Sequence, residues 1–184
     1  EASTIASDSL GDARFVFARD PLSLDVAAGM IAADRIMQTV DMACFMNYTP
    51  SARVSDGVIR AGLNPSGLLW NGGYTGNNQF GLAADFRTTV RQDIRRLAEM
   101  DVQTVLLGHV MSGPGFQIED DYRVCLKLKS EFPSCEVAPY FYTPMEAKSY
   151  ISGLDFLLAS RMHACIGAYT AGVPVFPLAY SRKF

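Results

Sequence analysis

The chain has 184 residues, of which 49% are hydrophobic, 19% charged and 11% aromatic, the balance of a folded protein and not of a disordered one. This length suits one domain, or one domain and part of another, with a core large enough to need neither metal nor disulfide staples. Sixteen Lys and Arg against nineteen Asp and Glu leave a net charge of −3, so no overall basic field draws the chain to nucleic acid or to an anionic membrane, and any anion site is local.

Taken in order, the chain opens on a polar stretch, EASTIASDSLGDAR, that lacks the basic-then-apolar order of a signal peptide. A β-rich run follows at Phe15 to Ala18, then a helical pattern near Ser23 to Ile31, then an apolar run from Ile36 to Met46. The turn-prone stretch from Asn47 to Gly57 reads as a domain boundary, which divides the chain into residues 1–57 and 58–184. Beyond it, short apolar runs alternate with helical periodicity. The runs are Val58 to Leu63, Thr104 to Gly108, Cys135 to Tyr140, Leu154 to Ala159 and Val173 to Tyr180. The helical segments are Ala84 to Met100, Glu119 to Ser130, Pro144 to Ser152 and Arg161 to Ala171. Alternating β and α segments with near-continuous apolar strands predict an α/β fold, a doubly wound parallel sheet covered by helices on both faces.

Cys44, Cys125, Cys135 and Cys165 form no C-x-x-C pair and sit among apolar residues, the pattern of buried thiols in a reducing compartment. No apolar run reaches the roughly 18 residues that a spanning helix needs. The expected location is the cytoplasm, at most peripheral at the inner face of the membrane.

Ligands of open parallel sheets bind beyond the carboxyl ends of the strands. The residues there are Arg19 and Asp20, Asn64 and Ser66, His109, Arg161 to His163, and Ser181 to Lys183. The strongest local pattern is Ser160-Arg161-Met162-His163, with Ser160 as the expected N-cap, Gly172 as C′ and Pro174 confirming the stop. Unpaired backbone N–H groups and the helix dipole make such a first turn an anion site. Cations there are costly without an anion, so Arg161 points first to a ligand anion and otherwise to an acidic partner such as Asp155. Lys183 suits a phosphate or carboxylate, or simply solvent. The loop from Asn64 to Gly81 holds five glycines but no G-K-S/T and no G-x-G-x-x-G between strand and helix. It is therefore read as a mobile loop near the site, with Tyr74, Asn77 and Asn78 as candidates to meet a sugar. Two histidines far apart and no acidic cluster argue against zinc.

Several of these segments together resemble the polysaccharide pyruvyl transferase family. They are Tyr150 to Asp155 leading into Ser160-Arg161-Met162-His163-Ala164, then Ala171-Gly172-Val173-Pro174-Val175 and Tyr180-Ser181-Arg182-Lys183. Upstream, Arg19-Asp20-Pro21-Leu22-Ser23 looks like the family's R-D-x-x-S segment and Asp41-Met42-Ala43 like its D-x-A segment. The resemblance implies a GT-B-like architecture of two Rossmann-like halves. Residues 1–57 would then be the end of the first half, and 58–184 the second half without its closing residues.

It also implies transfer of the pyruvyl group of phosphoenolpyruvate onto a sugar of a polysaccharide or its lipid-linked precursor, with ketal formation and phosphate release. On that reading His163 is the acid/base, and Arg19 and Lys183 hold the donor's anionic groups. Met162 contacts substrate within its turn, Arg161 is either a further donor ligand or a brace, and His109, Asn64 and Ser66 bind donor or acceptor. No metal or cofactor is called for, and no nucleic-acid partner; a homo-oligomer is left open. Two alternatives stand beside this one: a GT-B glycosyltransferase using a sugar nucleotide, and a non-catalytic glycan-binding or assembly protein.

Overall fold

In the computed structural model, which describes residues 2–113 and 117–181, the chain divides between Met46 and Asn47 into two units. The first begins with helix α1 (Ala2–Gly11), in the stretch that reads from sequence as a polar stub. Nothing local announces this helix. Its carboxyl end is held by a residue far along the chain, Arg35, whose Nη2 donates to the carbonyls of Leu10 and Gly11 at 3.2 and 2.9 Å. Strand β1 (Val16–Ala18) leads into α2 (Pro21–Ala28). Asp20 is the N-cap of α2: its Oδ1 accepts from Ser23 N at 2.8 Å, and Pro21 occupies the first turn. Strand β2 (Ile36–Gln38) pairs in parallel with β1. The apolar run to Met46 does not continue as strand; a 3-10 turn at Met42–Phe45, capped by Asp41, interrupts it.

The segment 47–57, read from sequence as the end of a first domain, belongs to the second unit. There Thr49 N and Ser51 N donate to the hydroxyls of Ser149 and Ser152 at 3.1 and 2.8 Å. The rest of this unit runs β3 (Arg60–Asn64), α3 (Gly67–Trp70), α4 (Phe86–Glu99), β4 (Gln103–Leu106), α5 (Asp121–Glu131), β5 (Glu136–Val137), α6 (Pro144–Ile151), β6 (Phe156–Ala159), α7 (Met162–Thr170) and β7 (Val175–Pro177). All pairings are parallel, in the order β5-β4-β3-β6-β7. The chain thus starts in the centre, winds outward to one edge, returns, and winds outward to the other, which is the Rossmann-like pattern.

Side chains alternate along the strands, so the core has two faces. Leu63 and Leu106 pack with Val90, Ile94 and Leu128 under α4 and α5. Val105, Leu107 and Leu157 pack with Ile151, Ala164 and Ala168 under α6 and α7. At Gly62 a Cβ would fall 2.6 Å from Leu154 Cδ1 and 2.7 Å from Leu157 Cδ1, so a larger residue would require these core leucines to shift. The expected thiol burial holds for Cys125 and Cys135, while Cys44 and Cys165 are half-buried, and all four are unpaired. Burial pushes the thiol of Cys125 well up and that of Cys165 to about 11. Among the described residues no helix is long and apolar enough to cross a membrane.

Candidate active site

The winding direction of the sheet reverses between β3 and β6. At such a switch point the loops leaving two neighbouring strands part in opposite directions and leave a crevice at the carboxyl edge. Asn64 ends β3 and Ser66 follows it, and Ser160 to His163 follow β6. The crevice is closed from beneath by a polar network whose central members, Asn64, Ser66, Asp121 and Ser160, are buried. Ser160 does not cap α7 as the sequence suggests. Its hydroxyl donates to Asn64 O at 2.8 Å and accepts from Ser66 N at 2.8 Å, because both backbone groups are buried here and need partners. Asn64 is equally committed: Nδ2 donates to Leu107 O and Asp121 Oδ2 at 3.1 and 3.2 Å, and Oδ1 accepts from Arg161 N at 3.1 Å. Ser66 caps α3 through its Oγ. Both side chains are fully buried.

The centre of this network is Asp121, which is fully inaccessible. Its carboxylate accepts from Gly67 N at 2.7 Å, Val110 N at 3.0 Å and His109 N at 3.2 Å. It also accepts from Arg161 Nη2 at 2.8 Å and Nε at 3.2 Å. A second Arg161 bond reaches Glu119 O at 2.8 Å. One buried carboxylate therefore ties together the loops after β3, β4 and β6. A buried ion pair persists only when its other lone pairs and protons find partners; both Asp121 oxygens and Arg161 Nε and Nη2 are hydrogen-bonded, and Nη1 lies 3.9 Å from Glu119 Oε2. Gly67 is part of the same fit, since a Cβ there would lie 2.7 Å from Asp120 O.

Sequence reasoning missed Asp121. Its neighbour Asp120 takes the capping role, accepting from Arg123 N at 3.1 Å, which turns Asp121 inward at the next position. The usable signal was Arg161 itself, a cation at a helix start that demands an acid. The sequence offered Asp155 as partner, but that residue instead accepts from Arg60 N at 2.8 Å, and Arg161 pairs with Asp121. This is the geometry of a brace.

Withdrawal of Arg161 leaves the start of α7 open. Side-chain oxygens of Asp20, Ser66, Asp85, Asp120 and Thr143 cap α2 to α6. Arg161 at the N-cap of α7 makes no side-chain cap bond. The first turn of α7 thus begins at the crevice without a side-chain cap from Arg161, and His163 stands on that turn, exposed, beside half-buried Met162. His109 approaches from the loop after β4. Burial lowers its pKa to about 4, partly offset by Asp121 and reinforced by the charges of His163 and Arg161. His109 and His163 are thus within electrostatic reach of each other, with His109 neutral at pH 7.

Arg19 lies in the first unit, on the rim of an apolar cavity of about 680 Å³, with Nη1 bonded to Asp41 Oδ2 at 2.7 Å. Lys183 lies outside the described residues. In the glycine-rich loop Tyr74 donates its hydroxyl to Glu119, and Asn78 closes on Leu82 with bonds of 2.9 Å in both directions; the Asn78 amide is spent inside the loop rather than held out toward a sugar. Among the described residues no three His, Cys, Asp or Glu side chains cluster as metal ligands do.

No curated protein matches the chain. A family model described as polysaccharide pyruvyl transferase matches residues 4–182, nearly the whole sequence, so the chain belongs to the polysaccharide pyruvyl transferase family and is a transferase.

Proposed function

We propose that the protein transfers the pyruvyl unit of phosphoenolpyruvate onto two hydroxyls of one sugar, forming a cyclic ketal and releasing inorganic phosphate. The observation that carries this reading is the open first turn of α7 at the switch point, with His163 exposed on it and neutral His109 beside it. The donor has two anionic groups, and uncapped amides at the positive end of a helix bind such groups without a metal.

The reaction begins with a proton passing from the His163 imidazolium to the methylene carbon, which becomes the methyl group and leaves an oxocarbenium centre at the adjacent carbon. A sugar hydroxyl adds there and gives its proton to the now neutral His163. The carbon–oxygen bond to phosphate then breaks with both electrons going to phosphate, and the second hydroxyl closes the ketal as the departing phosphate takes up its proton. One donor and one diol thus yield one ketal and one phosphate. His163 serves as acid first and base later. A neutral His109 holds an oxygen through its ring N–H without setting a second imidazolium beside His163.

Arg19 and Lys183 remain proposed donor cations on the strength of the family resemblance. The parallel β1–α2–β2 crossover supports reading the first unit as the end of a further Rossmann-like half, in the GT-B manner. The acceptor class is a polysaccharide or its lipid-linked precursor, met at the inner face of the membrane.

The test is phosphate release from phosphoenolpyruvate in the presence of oligosaccharide acceptors. His163→Ala, at an exposed position, should leave the fold intact and lower kcat by about 10²–10⁴-fold. Nucleotide release from a sugar nucleotide, with no phosphate from phosphoenolpyruvate, would replace this reading with a glycosyltransferase.

A further inference from the structure

The carboxyl edge of the sheet continues past His109 into a feature that donor chemistry does not use. Tyr122, in the first turn of α5, lies directly against Gly108, where a Cβ would be 3.0 Å from Tyr122 N. The Tyr122 ring meets Tyr140 edge-on, with centroids 5.4 Å apart at 80°. Tyr140 in turn meets Tyr142 at 5.1 Å and 57°. The row climbs out of the protein as it leaves the histidines: Tyr122 is half-buried, Tyr140 is 40% exposed and Tyr142 is 83% exposed. Its outer end opens into a cavity of about 790 Å³ between segment 47–51, the loop after β5 and α6. Tyr48 and Tyr150 add to the walls, and Thr49 and Ser149 supply hydroxyls.

An exposed ring such as Tyr142 contributes little to folding, and its apolar face gains only when something covers it. The charge of the cavity selects what that is. Its described lining residues include the carboxylate of Glu146, which also accepts from Tyr142 N at 2.8 Å, and no Lys, Arg or His. The nearby Lys148 is buried, with its Nζ 4.6 Å from the Tyr48 ring centroid, so the Glu146 carboxylate is the charge that the open cavity presents, and it repels phosphoenolpyruvate and nucleotides alike. A pyranose suits the site. Its C–H face is weakly positive and packs on the negative face of an aromatic ring, while its hydroxyl rim finds Thr49, Ser149 and Glu146. Two centroid steps make the row longer than a single pyranose ring, so it matches an oligosaccharide.

We propose that the Tyr122–Tyr140–Tyr142 row and its cavity form the acceptor subsite, which holds neutral pyranose units of the glycan and leads the chain end toward His109 and His163. This rests on the transfer reaction proposed above. The probe is an array of short neutral oligosaccharides, with phosphoenolpyruvate affinity measured separately by calorimetry. The wild-type protein should retain array members that Tyr142→Ala binds about tenfold more weakly, equivalent to about 1.4 kcal/mol. Tyr142→Phe should bind like wild type, and donor affinity should not move in either variant.

Unchanged glycan binding in both Tyr142→Ala and Tyr140→Ala overturns the subsite, as does a wild-type protein that retains no oligosaccharide. Phosphate release that persists with an unaltered acceptor KM in the tyrosine variants also sinks the subsite but leaves the transfer reaction standing. Tyrosine-dependent glycan binding without any phosphate release does the reverse.

Discussion

Asp121 illustrates how a single buried side chain can govern a site from beneath it. It is buried, it neutralises Arg161, and it receives amides from the loops after β3 and β4. Asp121→Asn keeps the volume but removes the carboxylate bonded to the buried Arg161 guanidinium and leaves it only the longer 3.9 Å contact with Glu119 Oε2, a loss of up to about 3–5 kcal/mol. Urea denaturation should show a loss of this size with an unchanged m-value. In the surviving folded fraction, phosphoenolpyruvate affinity should fall as well, because the turn bearing His163 loses its anchor. Legibility of these residues in the sequence followed their chemistry. His163 and Arg161 stood out because a helix start is a specific electrostatic environment. Asp121 did not, because an aspartate in the first turn of a helix is ordinary until the fold turns it inward. Asn64 and Ser66 were legible as strand-end residues, but their engagement inside the network followed from three loops converging on them.

Elements were readable wherever their own residues carry their stop signals. Helix α7 ends as the sequence suggests: Gly172 adopts φ 74°, Gly172 N donates to Tyr169 O at 3.1 Å and Val173 N to Ala168 O at 2.9 Å, which is a Schellman closure. Gly172→Ala forces a Cβ into the left-handed region and should lower stability by about 1–2 kcal/mol, visible as a reduced Tm. A Cβ there meets nothing within 4 Å, so the effect is one of backbone conformation and not of packing. Two elements were not readable. Helix α1 depends on Arg35 for its carboxyl cap, and α3 sits in a glycine-rich stretch whose first turn exists because Gly67 N reaches Asp121. Both are supported by partners distant in sequence, which local periodicity does not register.

The whole molecule couples its stability to pH through the site. His109 titrates at about 4 in the folded protein because burial disfavours its cation, against an ordinary value near 6.5. As pH falls below about 6.5 the unfolded chain takes up a proton that the folded one refuses, so stability declines between about 6.5 and 4 and is unaffected by this group above that window. Thermal melts of wild type and His109→Asn across this range should differ in slope, with the variant flatter. Asp20 and Asp85, whose capping bonds hold their carboxyls below the usual range, act at lower pH, and the difference between the two proteins cancels their effect. Composition, strand alternation and the R-M-H-A turn were enough to establish an α/β transferase of this family, because periodicity and motif spacing are local properties that survive without coordinates. Convergence was not local. The order β5-β4-β3-β6-β7 brings residues 64, 109, 121 and 161 to one crevice, and it aligns tyrosines 122, 140 and 142 in one row. Residues so far apart in sequence meet only because parallel strands require long crossovers that deliver every strand end to the same edge.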